Sequence, residues 1–385
     1  MNGVHRPPLG VGVIGCGYWG PNLIRNFTHA DGSRVVAAAD TQIDRARRLA
    51  SWYGISTATA DAAELIADPL VDLVVVATPA RSHYTLAKRA LLAGKHVLVM
   101  KPMTTSVEHA EELVDLASRQ GVVLAVDHTF AYTGAVRKMR ELVESGELGE
   151  IYYVDSVRIN LGVFQSDVSV IWDLGAHDVS IIDYLMGGHL PVEVMAVGAA
   201  HAGGRMENIA YGTMRYGPQV LAHFHVNWLA PAKIRRTIVG GSRQMLVYDD
   251  MQPSEKLLVY DKGVTIPPWG DPDEVYTEMV SYRSGDMRAP RIDEREALAV
   301  EVEELLDGIV NGRSLVGDAE AGLRTVRILQ AAEESMRDGA RVIPIGGEAQ
   351  IAAALPIVAT GLNGDAGLHV ISGRGSTTLH SSDAA

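Results

Sequence analysis

The 385-residue chain reads as an α/β protein, an N-terminal doubly wound parallel sheet followed by an α+β domain with a large, mostly antiparallel open sheet. Three observations carry that expectation. Through the first 130 residues, short continuously apolar runs alternate with helical patterns, which marks strands buried on both faces. Beyond residue 130 the apolar residues alternate singly, which marks strands with one covered face. The length also exceeds what one ordinary core serves. Two domains are therefore expected, 1–130 and 131–347, with 348–385 as a flexible, polar, small-residue tail.

The elements follow in order. The run "VGVIG" is a strand, and residues 18–27 have a helical pattern. "RVVAAAD" is the second strand, and residues 43–53 form the next helix. Asp61 with Glu64 is a capping-box signature before a short helix. "VDLVVVAT" is a fully apolar strand, with a helix at 84–93. "HVLVM" is another strand, Thr105 and Glu108 give a second capping box, and "VVLAV" completes the set. A helix at 135–145 ends at Gly146. The period-two runs "EIYYVDSVRI", "VEVMAVGA", "IAYGTMRY", "VLAHFHVNWL", "KIRRTIVGG" and "QMLVYD" then build the open sheet. Helical patterns at 294–310 and 319–338 close the ordered part.

Bulk properties remove several classes of function. A net charge of -13 disfavours general nucleic-acid binding, which needs clustered cations. No apolar run approaches the roughly 20 residues that span a bilayer. The start "MNGVHRPPLG" has no apolar signal core, so a cytoplasmic location is expected. The single cysteine, Cys16, excludes an internal disulfide and Cys-based zinc sites. No metal ligand set is evident.

"GCGYWG" places Gly15, Gly17 and Gly20 in a G-x-G-x-x-G pattern directly between a strand and a helix. Glycine there permits a tight turn and close approach of backbone to a pyrophosphate, while the helix N-terminus offers unpaired N–H groups. Twenty residues beyond Gly20, the second strand ends at Asp40, whose carboxylate suits the adenosine ribose hydroxyls and repels a 2′-phosphate. The expectation is a Rossmann domain that binds NAD. Arg45, Arg47 and Arg48 keep NADP open, although they read as a solvated helix face. Cys16, between the turn glycines, reads as packed and inert.

Three further segments, "ATPARSHYTLAKRALLAGKHVLVMKP", "VDHTFAY" and "WDLGAHDVSIIDYL", together with the glycine turn, resemble the Gfo/Idh/MocA family of glucose–fructose oxidoreductases and inositol dehydrogenases. The likeness covers residues 9–345. It implies a substrate site on the open sheet of the second domain, often with an oligomer interface, so a homodimer or homotetramer is expected. It also implies that Lys101 of the K-P pair with Pro102, and Asp173 and His177 of the D-x-G-x-H segment, are catalytic. Alcohol oxidation needs a base for the hydroxyl proton and a cation for the developing alkoxide. His177 is read as the base, Lys101 as alkoxide stabiliser, and Asp173 as partner to the substrate or to His177. By the same resemblance Thr78, Pro79 and His83 line the nicotinamide, Tyr18 and Trp19 flank the pyrophosphate turn, and His128 borders nicotinamide and substrate. Trp172 and Arg158 are carried as substrate contacts, Trp172 being as easily read as packing. Arg235 or Arg236 is a further candidate cation for a phosphate or carboxylate. Asp173 and His177 stand i and i+4, so on an α-helix they face the same way.

The implied reaction is hydride transfer between a nicotinamide cofactor and a ring hydroxyl or ketone of a sugar, foremost C3 of a nucleotide sugar or amino-sugar. A cyclitol dehydrogenase of the inositol type is the second enzymatic reading. A dinucleotide-binding sensor of the same fold is a third, disfavoured by the joint presence of Lys101, Asp173 and His177. The sequence departs from the family at Met100, where glutamate is usual. That change removes a negative charge beside Lys101.

Overall fold

The computed structural model describes residues 7–162, 164–165, 167–265 and 281–346, so the expected tail at 348–385 lies outside the described residues. The first sheet is assembled from β1 (Leu9–Ile14), α1 (Gly20–His29), β2 (Ser33–Ala39), α2 (Ile43–Tyr53), β3 (Thr57–Thr59), α3 (Ala62–Ala67), β4 (Leu73–Val76), α4 (His83–Leu92), β5 (His96–Met100), α5 (Val107–Gln120) and β6 (Leu124–Asp127). Its strand order is β3-β2-β1-β4-β5-β6, parallel throughout. The order reverses between β1 and β4, where such sheets hold ligands beyond their carboxyl ends.

The chain then continues through α6 (Gly134–Glu144), β7 (Ile151–Leu161), α7 (Ala176–Leu185), β8 (Glu193–Ala199), β9 (Ile209–Tyr216), β10 (Val220–Asn227), β11 (Leu229–Gly241), β12 (Met245–Asp249), β13 (Leu257–Thr265), β14 (Ser281–Arg288), α8 (Ala297–Asn311), α9 (Ala319–Arg337) and β15 (Ile343–Pro344). The second sheet runs β14-β13-β12-β11-β7-β10-β9-β8-β15. Among these pairs only β7 and β10 are parallel. The remainder are antiparallel, as the alternating patterns require.

Helix starts follow side-chain chemistry. The Asp61, Thr133 and Asp318 side chains accept N–H bonds at α3, α6 and α9, each cap contributing about 1 kcal/mol. The capping box expected at Thr105 lies one residue later: Ser106 accepts from the His109 N–H and its hydroxyl meets Glu108. The box at Asp61 is also altered, because Glu64 accepts from the Thr59 hydroxyl rather than returning to the cap. Strands β3, β13, β14 and β15 were not expected. β3 and β15 are only three and two residues long, β13 buries only Leu257 and Val259 of its apolar residues, and β14 is a polar edge strand.

The apolar interior divides at the first sheet. One cluster joins Val11, Val13 and Leu98 to Leu23 of α1 and to Leu298, Val302 and Leu305 of α8. The other begins on the opposite face with Ile14, Val74 and Val99 and runs without a break through α5, α9 and α7 to Val154, Met214 and Phe224 on the inner face of the second sheet. Helix α8, from the second half of the sequence, thus returns to pack on the first sheet. The described residues belong to one compact unit.

On the α8 side, Asp127 and Glu301 are both buried, and their carboxyl groups face each other. Asp127 Oδ2 and both Glu301 carboxyl oxygens lack any donor among the described residues. Two carboxyls in that position share a proton. Burial is the main cause of a raised pKa in both, and for Glu301 the neighbouring Asp127 charge adds to it. The folded state thus holds a proton that the unfolded chain releases once pH passes the ordinary carboxyl range of about 4. Stability from this pair is complete below that range and falls as pH rises towards the folded values. Glu301→Gln supplies an amide donor to Asp127 without the titration. In urea unfolding at about pH 5 and about pH 8, the wild type is expected to lose stability that the variant retains, so the variant is the more stable at the higher pH.

Candidate active site

The glycine turn has the shape its spacing implies. Gly15 has φ +103°, and a Cβ there would stand 2.3 Å from the Ala77 carbonyl oxygen. A Cβ on Gly20, the first residue of α1, would stand 2.3 Å from the Gly15 oxygen. Gly17 differs: its missing side chain leaves an open slot, with Arg45 Nη1 the nearest atom at 4.0 Å. That slot and the α1 N-terminus fit a pyrophosphate. Asp40 accepts the Cys16 N–H at 2.8 Å and the Gln42 N–H at 2.8 Å, which holds its carboxylate at the end of β2. Tyr18 is 87 % exposed and Trp19 half-exposed, so both aromatic faces border the turn. Cys16 is buried, and desolvation, with Asp40 nearby, pushes its thiol up to about 12. It is inert, as expected.

The loops after β4 and β5 are tied together by His83. Its Nδ1 lies 2.8 Å from the Pro102 carbonyl and its Nε2 2.7 Å from the Thr78 carbonyl. Burial, the largest cause, lowers its pKa. A neutral imidazole has one N–H, so it donates to one of these two carbonyls, and the ring lies between the loops after β4 and β5. Thr78 and Pro79 remain at the strand edge, with Thr78 Oγ1 accepting from Ser82 at 2.7 Å. The Lys101–Pro102 peptide is cis. Met100 is packed in the α1–α8 cluster.

Lys101 crosses to the second half of the chain. Its ammonium donates to the Asp173 carbonyl and to Oδ1, each at 2.8 Å, with side chains only 13 % and 18 % exposed. The Trp228 indole donates to Asp173 Oδ2 at 3.2 Å, and Phe164 leans on Trp228 at 5.6 Å. Asp173 lies in a π turn, Ile171–Gly175, that precedes α7. The expected i,i+4 pairing with His177 is replaced: Asp173 serves Lys101, and His177 turns to Phe130, ring edge to face at 4.9 Å. His177 Nδ1 is buried without a partner. Burial first, then the charges of Lys101, Arg158 and Arg235, hold its pKa well below the ordinary value, so the ring is neutral at neutral pH. A neutral imidazole is an acceptor for a hydroxyl proton.

Two expected substrate contacts are buried. Trp172 is 2 % exposed and packs in the core. Arg158 is 3 % exposed, and its Nε bonds Asp178 Oδ2 at 3.0 Å, while Asp178 Oδ1 accepts from Ser156. His128 is buried and lines a cavity of about 480 Å³ with Asp183, Asp318 and Arg324. Burial, Arg324 and Lys101 push it down to about 4. Arg236 pairs with Asp249 and is half-exposed. Sequence reading missed Phe130, Trp228, Asp178 and Asp250, which become visible only through contact. Among the described residues no group of three or more His, Cys, Asp or Glu is placed to hold a metal, and no helix is long and apolar enough to cross a membrane.

A family model described as an oxidoreductase family with an NAD-binding Rossmann fold matches residues 9–128, and the GFO/IDH/MocA C-terminal domain matches residues 136–247. The uncharacterized oxidoreductase YdgJ of Escherichia coli is 31% identical over 270 residues, 68% of this chain and 77% of that protein. The scyllo-inositol 2-dehydrogenase (NADP(+)) IolW of Bacillus subtilis is 24% identical over 86% of this chain and 93% of its own. The UDP-N-acetylglucosamine 3-dehydrogenase of Acidithiobacillus ferrooxidans is 28% identical over 82% of this chain and 93% of its own. A solved structure of that enzyme, GnnA, aligns with TM-score 0.70 at 25% identity, covering 86% and 99% of the two chains.

Trp228→Phe keeps the packing and deletes the indole bond to Asp173. Hydrogen bonds to charged groups are worth about 1.5–3 kcal/mol, so a roughly tenfold or greater fall in turnover is expected, with NAD affinity unchanged by titration calorimetry.

Proposed function

The chain belongs to the Gfo/Idh/MocA family of NAD-binding oxidoreductases, and from that premise we propose that it transfers hydride between NAD and a ring hydroxyl or ketone of a sugar, foremost C3 of a nucleotide sugar or amino-sugar. The observation that carries the reading is that Lys101, at the carboxyl end of β5, bonds Asp173 while its charge also reaches the buried imidazole of His177. Nicotinamide, when bound, supplies the hydride acceptor or donor. Gly15, Gly17 and Gly20 with the α1 N-terminus hold the pyrophosphate, Tyr18 and Trp19 flank it, and Thr78, Pro79 and Pro102 shape the nicotinamide end.

Lys101, held by Asp173, stabilises the alkoxide that forms as the hydroxyl loses its proton. Neutral His177 accepts that proton. Trp228 orients Asp173, and Phe130 holds the imidazole in place. Similarity to a UDP-N-acetylglucosamine 3-dehydrogenase across most of both chains supports the nucleotide-sugar reading. Similarity to a scyllo-inositol 2-dehydrogenase over 86% of this chain supports a cyclitol dehydrogenase as the second reading.

Asp40 at the end of β2 favours NAD. Arg45, whose Nη1 lies 4.0 Å from where a Cβ on Gly17 would stand, is a feature that favours NADP. The outer face of the second sheet, where Met195, Val197, Tyr211 and Leu221 are exposed on one side, supports a homo-oligomer.

The test is absorbance of NADH with a panel of sugars, nucleotide sugars and cyclitols. Turnover is expected with at least one, and Lys101→Ala or His177→Ala is expected to lower kcat by about 10²–10⁴ with NAD binding retained. Tight NAD binding without turnover on any member would instead assign a sensor. In the same assay the wild type is expected to favour NAD over NADP, and Asp40→Ala to raise relative use of NADP about tenfold.

A further inference from the structure

Strand register sets two guanidinium groups face to face. Arg235 of β11 pairs directly with Arg158 of β7, and both side chains turn to the inner face, where the Phe130 ring contacts both of them and His177. Arg158 stands 4.2 Å and Arg235 5.5 Å from the centre of that ring. Like charges directly opposite in a sheet are destabilising, so this pairing works against the fold.

Neutralisation is incomplete. Asp178 meets one edge of Arg158, whose Nη1 is buried with no acceptor among the described residues. Asp250 meets Arg235 through a single nitrogen at 3.2 Å and is shared with Lys256 at 3.3 Å. One carboxylate therefore serves two cations. Arg235 is 31 % exposed and keeps the rest of its fork without an acceptor among the described residues. In a chain of net charge -13, a local cationic surplus beside the reacting groups calls for an anion.

We propose that Arg235, backed by Arg158 across Phe130, is the subsite for an oxyanion of the substrate, a carboxylate or a phosphate, bound about one sugar ring from His177. The inference rests on the sugar-oxidoreductase reading of the same cleft and narrows its substrate class to acidic or phosphorylated sugars. Arg235 contacts the anion through its open guanidinium edge, the geometry suited to carboxylate and phosphate oxygens. Arg158 acts from behind as a fixed charge. The same anion offsets the cations that disfavour protonation of His177, so binding the correct substrate strengthens the base at the moment it is needed.

The experiment uses the full chain loaded with NAD and two readouts. Calorimetric titration with UDP, with glucuronate and with glucose reads the subsite directly. NADH formation with a UDP-N-acetylhexosamine, a hexuronate and the matching neutral sugars reads catalysis. Binding of UDP or glucuronate but not glucose is expected, weakened about tenfold or more in Arg235→Gln and partly restored in Arg235→Lys. Which of the two binds separates a phosphate source from a carboxylate source. Turnover of the anionic member is expected to fall about tenfold or more in Arg235→Gln through KM, and that of neutral sugars not to fall with it. Anion binding that depends on Arg235 without any sugar oxidation would leave the subsite standing and remove the oxidoreductase reading. Oxidation of neutral sugars alone, with no anion bound, or equal losses for neutral and anionic substrates in Arg235→Gln, would overturn the subsite and leave the reaction intact. If Arg235→Gln fails to fold, Arg235→Lys and wild-type titration carry the same decision.

Discussion

The contact between Lys101 and Asp173 is the constraint on which the rest of the site depends. Lys101 ends β5 of the parallel sheet, and Asp173 stands in the π turn before α7, beneath the second sheet. Each is mostly buried, so neither charge is tolerated without the other. The pair therefore fixes where α7 begins relative to the edge of the first sheet. His177, one turn further on, takes its position from the same helix. The π turn matters here because it adds a residue to the helical repeat. It frees the Asp173 carboxylate for Lys101 and Trp228 while His177 faces Phe130.

A second constraint is electrostatic. The charges that act most on His177 at neutral pH are those of Lys101, Arg158 and Arg235, all of them cations. An imidazole there is held neutral by burial and by repulsion together. Such a ring accepts a proton poorly until something reduces the surrounding positive charge. Lys101 gives up part of its field to Asp173, and Arg158 part of its field to Asp178. Arg235 shares its carboxylate with Lys256, so it is the cation with most field left over. Specificity and basicity are thereby governed by one arrangement of side chains.

Much of the fold was legible because burial on two faces leaves a strong mark. Continuous runs such as "VVV" in β4 and "VLV" in β5 have no other reading between helical segments. The glycine turn was legible for a steric reason, since Gly15 and Gly20 occupy places where a Cβ would strike backbone oxygen. The active residues were legible as a family pattern, but their partners were not. Nothing in the spacing of Lys101 and Trp228 announces that both bond Asp173, because those contacts join residues 72 and 55 positions away from it. The burial of Arg158 and His83 was hidden for the same reason. A long polar side chain in a strand or near a loop looks free until its buried acceptor is known. The return of α8 to the first sheet was equally hidden, since an apolar helical stripe does not say which surface it covers.

The turn at Thr129–Tyr132 shows why that return is functional and not only packing. Asp127, at the end of β6, accepts the Thr129 N–H at 3.0 Å, and its carboxyl group faces Glu301 of α8. Tyr132, at the far end of the turn, accepts the Gly317 N–H at 2.9 Å, from the segment between α8 and α9. Phe130 lies between these two anchors in the chain, and its ring contacts His177, Arg158 and Arg235. The last helices of the chain thus hold the short segment that contacts base and cations alike. An aromatic ring there keeps the guanidinium groups near enough to act on His177, and its negative face offsets part of their mutual repulsion. Removing the ring would let the cations and the imidazole collapse together or draw water between them. Either outcome would uncouple anion binding from proton transfer. The position of Phe130, and behind it the buried acid pair, is therefore what allows a strained arrangement of charge to persist beside the reacting groups.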